Sequence, residues 1–424
     1  GSMRKGVFLP FALLCGALVW CARDKSPLGP VEGPAVCPQH EVPWPSLANS
    51  PWPMYRHDPQ LTGRSPYRGP RKGRVKWKFQ PAEKGLIYPA VVIGPDSTIY
   101  FGYMDLGPQD QPTLLCALKP DGTLRWRCRL GGGTLRSEPG PPFVMANGEI
   151  LVQHYAEDRA YVVSQEGSIV RALRVPSRSI VNVGPDGTLY YVGNDRRLYA
   201  LSQEGTIRWQ REIEGGFHWT GPAISPDGSV VYVLTGMPPL SSHLKAVSAV
   251  GAIDGSIRWE FPIPEGMHSS IAPVVSSEGK VFIGVFGSWY LPGLYCIGPG
   301  GESLWSYGPG LDGGKEPTIH WGGQVVFEMT TEAEGGGVIW ADCAGVPVWR
   351  VVPTTVTYAG PICDADGVTY VFGREVLALD RRGKPIWEVP LEGSFTRIAA
   401  PAIGSDGVLY LGTFGTPSLL YAIE

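Results

Sequence analysis

Residues 205–209, Gly-Thr-Ile-Arg-Trp ("GTIRW"), decide the fold, because the chain repeats them. The pattern of glycine, three residues, then tryptophan returns as GRVKW, GTLRW, GSIRW, GESLW, GVPVW and GKPIW. It sets Trp77, Trp126, Trp209, Trp259, Trp305, Trp349 and Trp387 at one phase. These are half of the 14 tryptophans, so they mark a structural position and not a composition bias. An eighth copy, GSIVR, has Arg171 where the others have tryptophan. Successive copies lie 38 to 50 residues apart, the period of an array in which each repeat is one supersecondary unit.

A second phrase alternates with the first. It reads as an apolar strand, a tight turn and another strand, as in VNVGPDGTLYYVG (181–193), PAISPDGSVVYVL (222–234) and PAIGSDGVLYLGT (401–413). Eight copies occur, most with Asp-Gly or a relative at the centre, where a hairpin turn needs positive φ. These hairpins supply strands A and B of a unit. A short LYAL-like strand follows as C, and the Gly-x-x-x-Trp phrase supplies D. Four strands in roughly 40–45 residues make a propeller blade. The last unit, residues 401–424, stops after C, while GRVKWKFQ is a D strand with no A, B or C before it. The expectation is an all-β, eight-bladed propeller whose residues 73–80 complete the C-terminal blade and so remove an open sheet edge.

On these repeats the chain resembles the quinoprotein-type, PQQ-like β-propeller family, whose Gly-x-x-x-Trp motifs tie neighbouring blades. The resemblance covers residues from about 50 to 424. Two branches follow from it. One holds dehydrogenases that use pyrroloquinoline quinone (PQQ) and Ca²⁺. The other is non-catalytic and includes bacterial envelope propeller lipoproteins. The N-terminal "W…Y…TR.S" wording is shared with the enzymes, but the adjacent Cys-Cys pair they typically carry is missing here. The sequence also lacks a D-x-D-x-D-G run, an H-E-x-x-H pair, a G-x-S-x-G elbow and a phosphate loop. The Asp residues of the Asp-Gly turns are explained by turn chemistry. The reading is therefore a binding protein with no cofactor. A PQQ- and Ca²⁺-dependent dehydrogenase and a carbohydrate-binding propeller stand as alternatives.

Residues 1–2 read as a tag remnant, and residues 3–21 as a signal peptide. Arg4 and Lys5 precede a run of about 15 apolar residues, too short for the ~20 of a membrane span. Cys21 ends that run in the manner of a lipoprotein signal, although Trp20 replaces the usual small residue. The implied place is the periplasm or outer membrane, with membrane contact only through the lipid. Residues 22–50, rich in proline, read as an extended spacer, and 51–424 as the propeller. Cys116 and Cys128 flank one hairpin and are the expected disulfide pair, with buried free thiols as the other reading. A net charge of −3 without a basic stripe points away from nucleic acid and leaves a protein partner in the envelope, or a small ligand, for a monomer.

In a propeller the A–B and C–D turns share one face, and the B–C loops and D-to-A crossovers share the other. Here the turns are uniformly tight, whereas the B–C loops vary, as in YMDLGPQDQPT, TGMPPLSSHLKA, FGSWYLPG and TTEAEGGG. Binding residues belong on variable loops carried by a rigid frame. The candidates on that face are Tyr88, Arg136, Arg178, His218, Trp219, His268, Lys315, Glu316, Tyr358 and Arg397 at the channel mouth, with Trp289 and Tyr290 on a B–C loop. Their cations suit an anionic ligand or an acidic loop.

One stretch, WPMYRHDPQLTGRS (52–65), belongs to no repeat. It reads as a clasp that leads the chain onto the ring and locks the last blade, away from the elaborated face. Trp52 and Tyr55 would cover apolar blade edges and Arg64 would tie carbonyls. His57 and Asp58, as neighbours in extended chain, would point to opposite sides and form no catalytic pair.

Overall fold

The computed structural model describes residues 33–82, 85–106, 112–131, 137–177, 179–213, 220–236, 244–269, 271–287, 292–308, 315–331, 335–353 and 359–424. Cys21 and the signal segment lie outside these residues. The hairpin phrases form the inner strands A and B of eight antiparallel four-stranded blades set in a ring, and the tryptophan phrases form the outer strands D. Blade 1 runs from Gly85 to Leu130, blade 2 from Phe143 to Arg174, blade 3 from Asn182 to Glu212 and blade 4 from Ala223 to Pro262. Blade 5 runs from Val274 to Tyr307, blade 6 from Thr318 to Val351 and blade 7 from Ala359 to Pro390. Blade 8 takes Ser394–Ile403, Leu409–Thr416 and Leu420–Ile423 from the C-terminus and its D strand, Val75–Phe79, from the N-terminus. Val75 lies opposite Ile423, and Phe79 opposite Leu420.

The repeated glycine and tryptophan meet across blade boundaries. Each indole lies on the glycine of the next blade's phrase: Trp77 on Gly122, Trp126 on Gly167, Trp209 on Gly255, Trp259 on Gly301, Trp305 on Gly345, Trp349 on Gly383 and Trp387 on Gly73. A Cβ on any of these glycines would come within 2.5–2.8 Å of the ring. Their φ values of 60–89° also favour glycine. Each indole Nε1–H donates to a carbonyl of that next turn, at 2.8–3.2 Å. Within its own blade, the indole packs on a ring of strand B, as Trp209 does on Tyr190 at 6.0 Å and Trp259 on Tyr232 at 5.7 Å, or of strand C, as Trp349 does on Trp340 at 6.1 Å. The terminal strand enters this chain of contacts from both sides, since Gly73 receives Trp387 and Trp77 covers Gly122.

The joint between blades 2 and 3 is different. Arg171 stands in the tryptophan position and pairs with Glu149 of its own blade at 3.0 Å. A Cβ on Gly205 would find only Leu173, at 3.4 Å.

Cys116 and Cys128 are both buried free thiols and not a disulfide. Cys128 lies opposite Leu115, and Cys116 opposite Arg127. The two cysteines are one residue out of phase, so the pleat sends them to opposite faces of the sheet. Cys116 enters the core shared with blades 7 and 8, Cys128 the core shared with blade 2.

The disulfide that forms is Cys37–Cys343, closing a separation of 306 residues. With it, residues 35–50 lie on the ring and are not a spacer. Ala35 N–H donates to Asp342, Cys37 N–H to Gly322 O, and Gln39 N–H to Trp321 O in blade 6. Gln39 Oε1 accepts from Ser277 N–H in blade 5. Ala48 N–H donates to Val144 O, and Ser46 O accepts from Ala146 N–H, both in blade 2. The segment is a strap across the turn face, from one side of the ring to the other.

Two outcomes test this account. Trp209→Ala should lower stability by about 2–3 kcal/mol through lost burial and the lost indole bond, whereas Arg171→Ala should cost under about 1 kcal/mol; denaturant midpoints measure both. His320, buried beside Thr369 Oγ1 at 3.0 Å, has its pKa lowered from 6.5 to about 3 by burial, with Arg381 and Arg64 adding to it. Between those values the unfolded chain holds a proton that the folded chain does not. Stability is thus complete above pH 6.5 and falls as pH drops, by about 2 kcal/mol at pH 5. His320→Gln should flatten the melting temperature between pH 7 and pH 5; an unchanged slope would refute the assignment.

Candidate functional site

Residues 52–65 do not clasp the last blade. They pass around the channel axis, and their carbonyls accept from the innermost strands of blades 1 to 7 in turn. Trp52 O accepts from Ile93 N–H of blade 1 and Pro53 O from Val144 N–H of blade 2, each at 2.8 Å. Pro59 O accepts from the Asn182 side chain of blade 3 and from Ile224 N–H of blade 4. Gln60 O accepts from Val275 N–H of blade 5, Thr62 O from Ile319 N–H of blade 6, and Gly63 O from Cys363 N–H of blade 7. The segment is a plug. It satisfies the edge of the A strands, which would otherwise present unpaired backbone groups to the channel.

The plug has to turn sharply to do this. Arg56, His57 and Leu61 adopt φ values of 55°, 81° and 61°. The Arg56 guanidinium is buried and donates to Leu61 O, Pro317 O and Pro361 O, which joins blades 6 and 7 to the plug. Because the chain is not extended here, His57 Nδ1 and Asp58 Oδ2 approach to 3.3 Å, contrary to the opposed arrangement expected of an extended pair. Burial pushes the Asp58 carboxyl up, but hydrogen bonds from His57 and Thr62 outweigh it and hold the pKa below the usual range. Arg64 does tie carbonyls as expected, reaching His40 O and Ile319 O.

Successive pairs of plug residues line opposite cavities, Tyr55 and Arg56 one, His57 and Asp58 the other. Tyr55 and Arg56 floor the mouth on the loop face, in a cavity of about 560 Å³. Four of the residues anticipated from sequence line the same cavity, namely Tyr88, Lys315, Glu316 and Arg397. Tyr55 Oη donates to Glu316 Oε1 at 2.8 Å. Burial first, then Glu316, raise the Tyr55 phenol well above its ordinary pKa. Burial also raises Tyr88, with Glu138 adding to it and a hydrogen bond to Arg397 opposing it. Arg397 lies over the Phe414 ring at 5.9 Å and is itself exposed. The mouth thus offers two cations, Lys315 and Arg397, two carboxylates, Glu316 and Glu138, and phenols held neutral.

His268 is elsewhere. Its backbone pairs with Phe286 in both directions and its ring stacks on Phe286 at 5.6 Å, so it braces a crossover against a B–C loop. Arg136, Arg178, His218, Trp219, Trp289, Tyr290 and Tyr358 lie outside the described residues, as do parts of the four variable B–C loops. Sequence reasoning missed Tyr55, Arg56, Glu138 and Tyr155. The first two come from the non-repeated stretch, whose route through the channel no repeat encodes. Glu138 was legible as a crossover residue, two positions after the anticipated Arg136.

No family model matches the chain, and no curated protein matches it. Solved structures do. A europium-containing methanol dehydrogenase is 11% identical, over 88% of this chain and 98% of that one, with a TM-score of 0.65. BamB from Moraxella catarrhalis is 12% identical, over 82% and 98%, with a TM-score of 0.58. The Dos1 propeller is 12% identical, over 84% and 94%, with a TM-score of 0.54.

Arg56→Ala would leave buried carbonyls of blades 6 and 7 without their donor. It should cost about 2–4 kcal/mol in a denaturant melt while the far-ultraviolet spectrum stays that of the folded sheet; a cost below about 0.5 kcal/mol would remove Arg56 from this role. The likeness to the solved structures, at these identities, is one of fold, that of an eight-bladed β-propeller.

Proposed function

We propose that the chain is an exported propeller that binds a protein partner, or a ligand, through the mouth on its loop face and performs no catalysis there. The observation that carries the reading is the blind cavity of about 560 Å³ on that face, with a rigid floor and a rim of Lys315, Arg397, Glu316 and Glu138. A preformed concave site with a few placed charges is what recognition requires. The alternation of charge suits a partner loop that carries an acidic group for Arg397 and Lys315. Export is supported by the Cys37–Cys343 bond, since disulfides persist in oxidising compartments. Among the described residues no helix is long and apolar enough to cross a membrane. A lipid on Cys21 would hold the domain at the envelope.

The reading assigns no quinone and no Ca²⁺ to the mouth. That ion takes six to eight oxygen ligands. Among the described residues no group of three His, Cys, Asp or Glu side chains is placed to hold a metal ion. At the mouth, Glu316 already accepts from Tyr55, whose ring and neighbour Arg56 form the floor. The Asp-Gly turns are likewise structural: Asp186 Oδ1, for example, accepts from Thr188 N–H at 3.0 Å.

The test is cross-linked capture from envelope extracts with the wild type and with a Lys315→Glu/Arg397→Glu double variant. Both side chains stand at the rim, so the variant should melt within about 2 °C of the wild type, as surface changes do. Loss of the captured species in the variant is the expected result. Equal capture by both proteins would overturn the assignment of the mouth.

A further inference from the structure

The other side of the plug is built as carefully as the first. The strap, residues 35–50, roofs the channel on the turn face, and between it and the plug lies a second cavity of about 480 Å³. Its walls include Trp44 of the strap, His57, Asp58, Gln60 and Arg64 of the plug, and Trp321 of blade 6. We infer that this strap cavity is a second binding site, independent of the mouth, and that its ligand is a neutral saccharide of one or two rings.

Rigidity is the first argument. The floor is fixed by the plug's bonds to the A strands and the roof by the Cys37–Cys343 bond. A site held on both sides before its ligand arrives loses little ordering entropy on binding. The volume lies within the range of small-molecule sites.

The second argument is unspent hydrogen-bonding capacity. Arg64 is only 3% exposed, yet its guanidinium bonds to Ile319 O and His40 O are long, at 3.5 and 3.3 Å. Gln60 spends its Nε2 on Val275 O and Ser276 O, which leaves Oε1 outside those bonds. His57 spends Nδ1 on Asp58, which leaves Nε2. Buried polar groups call for partners. Here a donor (Arg64) stands among acceptors (Gln60, Asp58), the mixture that a set of hydroxyl groups satisfies from both sides.

Charge and surface narrow the class. Arg64 is opposed by Asp58 and by Glu41 at the entrance, and both carboxylates act on it electrostatically. With one cation against two anions, the cavity holds no attraction for an anionic ligand. Trp44 and Trp321 supply indole surface, and Arg64 stacks on Trp321 at 4.3 Å. Apolar C–H faces with hydroxyls at the edge match a sugar ring against such walls.

The probes are glucose, galactose, mannose, N-acetylglucosamine, maltose and cellobiose, titrated into the disulfide-bonded chain by calorimetry and by tryptophan fluorescence. At least one should saturate with a Kd of about 1 mM or tighter. Trp44→Leu removes an indole wall, and His57→Ala removes the imidazole ring. Each should weaken that binding by about tenfold. The Lys315→Glu/Arg397→Glu variant should bind the sugar as the wild type does, which separates this site from the mouth. The inference is overturned if no probe saturates by about 10 mM, if both single variants bind as the wild type, or if the mouth variant loses the sugar.

Discussion

The contact on which the ring depends is an indole resting on a bare glycine. Seven of the eight described joints use it, with Trp259 on Gly301 typical. The contact joins two constraints in one place. The glycine must lack a Cβ because the ring occupies that volume, and it takes positive φ in a tight turn whose carbonyl, two or three residues before it, accepts from Nε1–H. Neither residue works without the other, and they belong to different blades. That is why the two residues of each phrase recur together at fixed spacing, although no indole rests on the glycine of its own phrase. Joints of one geometry repeated around a ring set its radius, and the radius sets the width of the channel. The blade 2–3 joint, with Arg171 and Gly205, holds by the sheet-to-sheet core instead, where Leu173, Val183 and Tyr191 pack together.

A channel of that width is a problem as well as an opportunity. The A strands are short, two residues each in blades 2 to 6, and their inner edges face the axis. Buried edge groups without partners would be costly. The plug resolves this by lending carbonyls to the A strands around the ring, and it accepts left-handed backbone at Arg56, His57 and Leu61 to do so. Strained residues persist where their surroundings over-determine them. Here the surroundings are the Arg56 guanidinium on three carbonyls and the fully buried Trp52 beneath.

What could be read from sequence was whatever has local chemistry and repeats. The Asp-Gly turns, the tryptophan phase and the unpaired D strand at 73–80 each carry their reason within a few residues, and together they specify blade number and closure. The mouth was half legible. Lys315, Glu316, Tyr88 and Arg397 sit at equivalent crossovers, so the repeat placed them, but His268 shares that position and is turned aside by Phe286. The rest was hidden for two physical reasons. Pleat phase separates Cys116 from Cys128 by one residue of register, a difference invisible to spacing along the chain. The route of residues 35–65 depends on long-range partners such as Cys343, 306 positions from Cys37, and on left-handed residues that no glycine announces.

The stretch that belongs to no repeat is thus a wall between two cavities. Tyr55 and Arg56 face one side, His57 and Asp58 the other, because the backbone reverses between them. A wall of this kind could couple its two sides only by moving, and a ligand moves an equilibrium only by the difference in its affinity for two states. Any displacement of residues 52–65 would break bonds to the A strands and expose their edge groups. No ligand that fits within the present walls gains from that displacement. The bonds that keep the plug in place therefore keep the two cavities thermodynamically separate, so that filling one, as proposed, leaves the affinity of the other unchanged.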